Sequence, residues 1–187
     1  MNKKGLVYIG DRNTGKTTRL WKIYEEAVMK GKTVLVIDSA TEHVSKSIVK
    51  RILRVDLKKV VCIHTCNVDM IVFPEEKMNC YPKEILENTN SKVYVCDAAL
   101  YLEKGYDFPA GELREQQRVL YKKFSMQVIR ALIDRVDVII MDEIELIPES
   151  RDVFEMAYNR NIEVYMSLHS EEGLTGLNDL FSIERIY

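Results

Sequence analysis

The chain is short of the residues that would place it in several protein classes. Four cysteines in 187 residues are too few for a disulfide scaffold, and the eight methionines suit a reducing interior. Four prolines and eight glycines exclude a collagen-like or low-complexity chain. No apolar run approaches the roughly 20 residues that cross a bilayer. Met1-Asn2-Lys3-Lys4 leads into only six residues before charged Asp11, too short an apolar core for an export signal. Neither sign of charge dominates: 27 basic and 29 acidic residues give a net charge of -2. The molecule therefore lacks the overall positive field of an obligate nucleic-acid coat. The expectation is a soluble, cytoplasmic protein without membrane insertion.

What is present is the composition of a globular protein, 47% hydrophobic and 30% charged. The length suits one domain over residues 1–187. Near-continuous apolar runs at Leu6 to Ile9, Thr33 to Ile37, Val60 to Ile63, Val93 to Cys96, Val136 to Met141 and Ile162 to Leu168 read as strands buried on both faces. Helical periodicity fills the gaps. Thr17 to Lys30 places Leu20, Ile23, Tyr24, Ala27 and Val28 on one face before Gly31. Glu112 to Arg135 is longer, and segments near Glu42 to Arg54 and Ser150 to Arg160 complete the alternation. Alternating strands and helices predict an α/β three-layer sandwich with a largely parallel sheet and right-handed crossovers. The irregular stretch 67–90, with Pro74 and Pro82, reads as an insertion or lid, and a second loop spans Glu103 to Gly111.

The apolar runs end in polar groups: Asp38, His64, Asp97 and Asp142, with Ser167 and His169 closing the last. Ligands of parallel α/β sheets bind outside the carboxyl ends of the strands. Asp38, His64 and Asp97 mark that edge, either as site residues or as the polar ends every buried run must have.

The segment Gly10-Asp11-Arg12-Asn13-Thr14-Gly15-Lys16-Thr17 fits G-x-x-x-x-G-K-[ST] between a strand and an amphipathic helix. Gly10 and Gly15 let the backbone curl so that N–H groups face phosphate oxygens at the positive end of a helix. Lys16 adds a charge for the β- and γ-phosphates, and the Thr17 hydroxyl is a Mg2+ ligand. Gly10 to Thr17 and the next residue, Thr18, are the candidate nucleotide-binding residues. A second element, Val136 to Glu143, is an apolar run ending in two acids. Downstream of a phosphate loop it reads as a Walker B strand, with Asp142 holding Mg2+ and Glu143 orienting or deprotonating the attacking water. Neighbours on a strand point to opposite sides, so the two acids can take different roles only if the chain leaves strand geometry after Asp142. Glu145 competes with Glu143.

On Gly10 to Thr17, Asp142-Glu143 and the run Ile162 to Leu168, the chain resembles P-loop NTPases with a catalytic glutamate, the division of RecA-like, AAA+ and ABC ATPases. That resemblance implies the P-loop NTPase fold and Mg2+-dependent binding and hydrolysis of a nucleoside triphosphate. It also implies a γ-phosphate sensor at Ser167 or His169. ATP follows from the resemblance and from the missing guanine-reading Asn-Lys-x-Asp. The resemblance leaves open a nucleic-acid or protein partner and a homo-oligomer that supplies an arginine. The chain is also similar in motif order to thymidine-kinase-like nucleoside kinases, but lacks their paired-cysteine zinc ribbon and has Glu145 where they carry Gln. A third alternative is a nucleotide-gated binding module, with 67–90 as the responsive segment.

Weaker signals remain. Cys62, His64, Cys66 and Cys80 are zinc-ligand types, but on a strand Cys62 and Cys66 stand about 13 Å apart, and ordinary core cysteines fit better. Lys46 to Lys59 is basic, as a solvated helix face or a surface for nucleic acid or an acidic partner. Tyr94, Tyr101, Tyr106 and Phe108 read mainly as packing residues. Arg12, Arg160 and Arg185 are candidate charge stabilisers.

Overall fold

The computed structural model describes residues 5–38, 48, 51–52, 60–64, 93–97, 125–126, 128–144, 146–147, 150–174 and 176–187. The stretch 67–90, the loop from Glu103 to Gly111, Cys66, Cys80 and Glu145 lie outside the described residues.

Seven strands form one sheet: β1 (Gly5–Ile9), β2 (Val34–Asp38), β3 (Val60–His64), β4 (Val93–Asp97), β5 (Val138–Asp142), β6 (Glu163–Leu168) and β7 (Phe181–Arg185). Their order is β3-β4-β2-β5-β6-β1-β7, and every pair is parallel. Among the described residues the complete helices are α1 (Lys16–Met29) and α2 (Arg151–Asn159), with further helical residues at 48, 51–52, 125–126 and 128–132.

Alternation along each strand sends side chains into two cores. Leu35, Ile37, Ile139 and Met141 join Leu132, Val153 and Phe154 on one face. Val34, Val36, Val138 and Ile140 join Leu20, Tyr24, Ala27, Ile48 and Ile52 on the other. Helices thus cover both faces, and the architecture is the three-layer α/β sandwich expected. Among the described residues the sheet is wholly parallel, because every described connection crosses over a face. α1, leading from β1 toward β2, lies on one face; α2 and the 3-10 turns Glu171–Leu174 and Asn178–Leu180, leading toward β6 and β7, lie on the other. Opposite directions on opposite faces give one uniform crossover hand. Since β1 exits to one face and its neighbour β6 to the other, a crevice opens between their carboxyl ends.

Both labelled helices stop in the same way. After α1, Gly31 takes φ 73°, with Gly31 N–H donating to Val28 O and Lys32 N–H to Ala27 O, each at 3.0 Å. After α2, Asn161 takes φ 58° and repeats the pattern onto Tyr158 and Ala157. These are left-handed C-terminal caps that satisfy the last carbonyls, and Gly31 is where the sequence placed the stop. Among the described residues no helix is long and apolar enough to cross a membrane.

The sequence reading missed β7. Phe181-Ser182-Ile183-Glu184-Arg185 has two apolar residues in five, the signature of a strand at the margin of a sheet rather than inside it. It pairs with β1 alone, Gly5 opposite Phe181 and Ile9 opposite Arg185. The Phe181 ring is fully buried and meets Phe154 edge-on at 5.3 Å between centroids. Phe181→Ala should therefore destabilise the protein by about 3–5 kcal/mol, the usual cost of deleting a buried ring. A shift in denaturant midpoint worth less than about 1 kcal/mol would show that β7 is not integral to this core.

Candidate functional site

The loop between β1 and α1 is shaped by two left-handed residues, Asn13 at φ 67° and Gly15 at φ 94°. Asparagine and glycine tolerate this conformation best, and alternating hands of backbone turn successive N–H groups into one concavity. Gly10 is required for a different reason. A Cβ there would stand 2.3 Å from the Ile186 carbonyl oxygen and 3.0 Å from Thr14 Oγ1. The Thr14 hydroxyl donates to Asp11 O at 2.8 Å and braces the turn. α1 begins at Lys16 with no side-chain cap on Gly15 and no acid in its first turn, leaving a helix N-terminus suited to an anion.

Lys16 is buried, and its Nζ donates to Gly10 O at 2.6 Å and Asp11 O at 2.7 Å. Burial lowers its pKa, opposed by Glu143, Asp142 and Asp11. Thr17 is half-buried beside it, whereas Asp11, Arg12, Asn13 and Thr18 are exposed.

Asp142 is the last residue of β5 and only 1% exposed. Burial raises its pKa, against hydrogen bonds from the Ser167 and Thr17 hydroxyls and the charge of Lys16; Glu143 adds to the rise. Thr17 and Asp142, the two expected Mg2+ ligands, are thus within one hydrogen bond of each other. Both offer hard oxygen donors, which fit Mg2+. Among the described residues no group of three or more His, Cys, Asp or Glu could hold a metal. A Mg2+ at Thr17 and Asp142 would complete its shell with phosphate oxygens and water.

The chain leaves strand geometry directly after Asp142: Glu143 has φ 57°. A left-handed non-glycine residue costs about 1–2 kcal/mol, and two hydrogen bonds hold it, from Glu143 N–H to Ser167 O and to Ser167 Oγ, both 3.1 Å. The two adjacent acids are separated in this way. Asp142 stays in the sheet, and the Glu143 side chain, one third exposed, comes within 3.5 Å of His169 Nε2.

Ser167 and His169 occupy different places. The Ser167 side chain is fully buried; its hydroxyl donates to Asp142 Oδ1 and accepts from Glu143 N–H. It holds the acids rather than facing solvent. His169 follows the end of β6, exposed and beside Glu143. Across the sheet His64, Asp97, Asp38, Asp142 and Ser167 lie at one register level, so the polar strand ends do form one edge, with Asp38 fully buried.

One candidate charge stabiliser is misplaced. Arg160 precedes β6 and its Nε donates to Asp134 Oδ1 at 2.7 Å, at the amino edge of the sheet. A strand length of roughly 20 Å separates it from the acids. Arg185 ends β7 on the correct edge, where it is ion-paired with Glu171. Arg12 stands in the loop itself. The sequence reading missed Ile186, whose contribution is a backbone carbonyl that no residue-type pattern encodes.

Two substitutions test this geometry. Ser167→Ala should cost about 1–3 kcal/mol, because it strips a buried carboxylate and a strained backbone N–H of a partner; an unchanged denaturant midpoint would remove Ser167 from the bracing role. Gly10→Ala should be destabilising by about 1–3 kcal/mol, since the obstruction is backbone. Wild-type stability in Gly10→Ala would show that β7 does not press on the loop.

No family model matches the chain, and no curated protein matches it. Among solved structures it is similar to the genome packaging NTPase B204 from Sulfolobus turreted icosahedral virus 2, in complex with ATP-gammaS. The identity is 10% and the TM-score 0.45, over 91% of this chain and 67% of that one.

Proposed function

We propose that the chain binds a Mg2+-complexed nucleoside triphosphate, ATP in the first instance, and hydrolyses it by in-line attack of water. One observation carries this reading. Lys16 and Thr17 from the glycine loop converge on Asp142 and Glu143 from β5, through hydrogen bonds and charge, in the crevice where β1 and β6 exit to opposite faces.

In this reading the loop N–H groups and the Lys16 ammonium hold the phosphates, with Lys16 turning from the Gly10 and Asp11 carbonyls to the anion. Thr17 and Asp142 hold Mg2+, which neutralises charge on the β- and γ-phosphate oxygens when bound. Glu143, turned out of the strand, accepts the proton of the attacking water as general base. His169 holds the Glu143 carboxylate, and Ser167 fixes the side chain of Asp142 and the backbone of Glu143. The exposed Arg12, which stands in the loop itself, is a candidate to stabilise charge on the transferring group. Catalysis of this kind is mainly positioning and electrostatics. A partner that orders the edge, whether nucleic acid, protein or a second copy, would therefore raise turnover.

Lys16→Ala should abolish nucleotide binding while leaving the melting transition in place. Normal binding and turnover in that variant would overturn the phosphate-site reading. Glu143→Gln should keep Mg-ATP binding and slow phosphate release at least about a hundredfold. Product analysis with labelled ATP separates the nucleoside-kinase alternative: label on an added nucleoside, with little free phosphate in its absence, would reassign Glu143 to a substrate hydroxyl. Nucleotide binding without turnover under any condition would favour the gated module.

A further inference from the structure

The turn that follows β6 joins the acids of the site to the far side of the glycine loop. β6 ends at Leu168, whose carbonyl accepts from Gly10 N–H at 3.3 Å, and the chain passes through His169 and Ser170 into the 3-10 turn Glu171–Leu174. The far end of that turn is anchored: Leu174 is fully buried, and Gly173 O accepts from Leu146 N–H at 2.7 Å. The stretch from His169 to Glu172 arches between these fixed ends. Two of its side chains reach other elements. His169 Nε2 lies 3.5 Å from Glu143 Oε1, and Glu171 is ion-paired with Arg185 at the end of β7.

The strand order shows what that ion pair spans. β1 lies between β6 and β7, so the pair crosses the carboxyl end of β1, where the glycine loop begins. Arg185 stands opposite Ile9, and Ile186 N–H donates to Ile9 O at 2.7 Å, which fixes the root of the arginine to the strand that carries the loop. Alternation along β7 places Arg185 on the face of Phe181 and Ile183, which pack with Val153 and Phe154 of α2. The glycine loop leads to α1 on the other face. An ion pair this exposed adds little to global stability, but it ties the position of a short surface turn to the loop's own strand.

We infer that the Arg185–Glu171 pair is a positioning device for the water-activating carboxylate: it holds the turn after β6 in the place from which His169 meets Glu143. This rests on the hydrolysis reading above and adds two positioning residues to it. Arg185, a candidate charge stabiliser by sequence, acts through the turn and not on the transferring phosphate. Its effect falls on turnover, since a small displacement of a reacting group slows the chemical step while the phosphate contacts of the ground state persist.

The test is steady-state hydrolysis of Mg-ATP by the full chain, with kcat and KM measured separately. Glu171→Gln and Arg185→Gln should each lower kcat at least about tenfold and leave KM within about twofold. Arg185→Lys, which keeps the charge, should retain most of the rate. In a His169→Ala background Arg185→Gln should cause no further loss, because both changes release the same carboxylate. An arginine that met the phosphate would give the opposite pattern: Glu171→Gln would free it and keep or raise kcat, and the losses from Arg185→Gln and His169→Ala would multiply. Either result overturns the inference, as does unchanged kcat in Arg185→Gln. A kcat raised by His169→Ala also overturns it, since His169 would then restrain Glu143. Wild-type protein that binds Mg-ATP and releases no phosphate overturns the hydrolysis reading itself, and the positioning role with it. The three side chains are well exposed to solvent, so unchanged thermal melting is expected and shows that the rates compare folded proteins.

Discussion

A carboxylate held almost out of solvent in the middle of a parallel sheet is the constraint around which this molecule is arranged. Asp142 ends β5 with hydrogen bonds from the Ser167 and Thr17 hydroxyls and the charge of Lys16 nearby. Burying an unpaired carboxylate would cost several kcal/mol, whereas one that is hydrogen-bonded and neighboured by a cation is tolerable. That requirement links three separated parts of the chain: the start of α1, the end of β5 and the end of β6. The strand order makes the link feasible, because β6 lies between β1 and β5 and carries Ser167 into register with Asp142.

The irregular backbone of the edge is concentrated around that carboxylate. Asn13 and Gly15 shape the loop that presents Lys16 and Thr17, and Glu143 breaks β5 one residue after Asp142. Each left-handed turn does something a regular element cannot. In the loop it points N–H groups inward; after β5 it sends two consecutive acids to different surroundings. Strain at a non-glycine residue persists only where its surroundings over-determine it, and the paired hydrogen bonds from Glu143 N–H to Ser167 are that determination. Ser167 thus supports the charge of one acid and the conformation of the other.

β7 extends the same logic to the far side of β1. Its ring at Phe181 locks into the core beside Phe154 and Tyr158, and its exit at Ile186 presses on Gly10. Ion pairs from Glu184 to Arg19 and from Arg185 to Glu171 flank the strand. At this exposure such pairs contribute little stability, so the packing of Phe181 is the stronger anchor. The glycine loop is consequently held between β6 and β7, with the acids on the β6 side.

Much of this was legible in residue order. Near-continuous apolar runs pointed to six of the seven described strands and to the three-layer class, since such runs suit a parallel sheet covered by helices. Gly31 marked the end of α1. The spacing from Gly10 to Thr17 located the loop, because glycine freedom, a lysine and a hydroxyl at fixed intervals are local properties. The pair Asp142-Glu143 even stated its own geometric condition, that the strand end between them. Residue order alone did not settle what depends on contacts between distant segments. It did not show that Ser167 is buried and His169 exposed, nor that Arg160 stands at the amino edge, because burial and the sheet edge on which a residue stands follow from strand register. β7 escaped because a strand at a sheet margin needs few apolar residues, and the Ile186 carbonyl escaped because every residue has one. Side-chain chemistry and its spacing are written in the sequence, whereas register, burial and the close approach of two backbones exist only once the sheet has assembled.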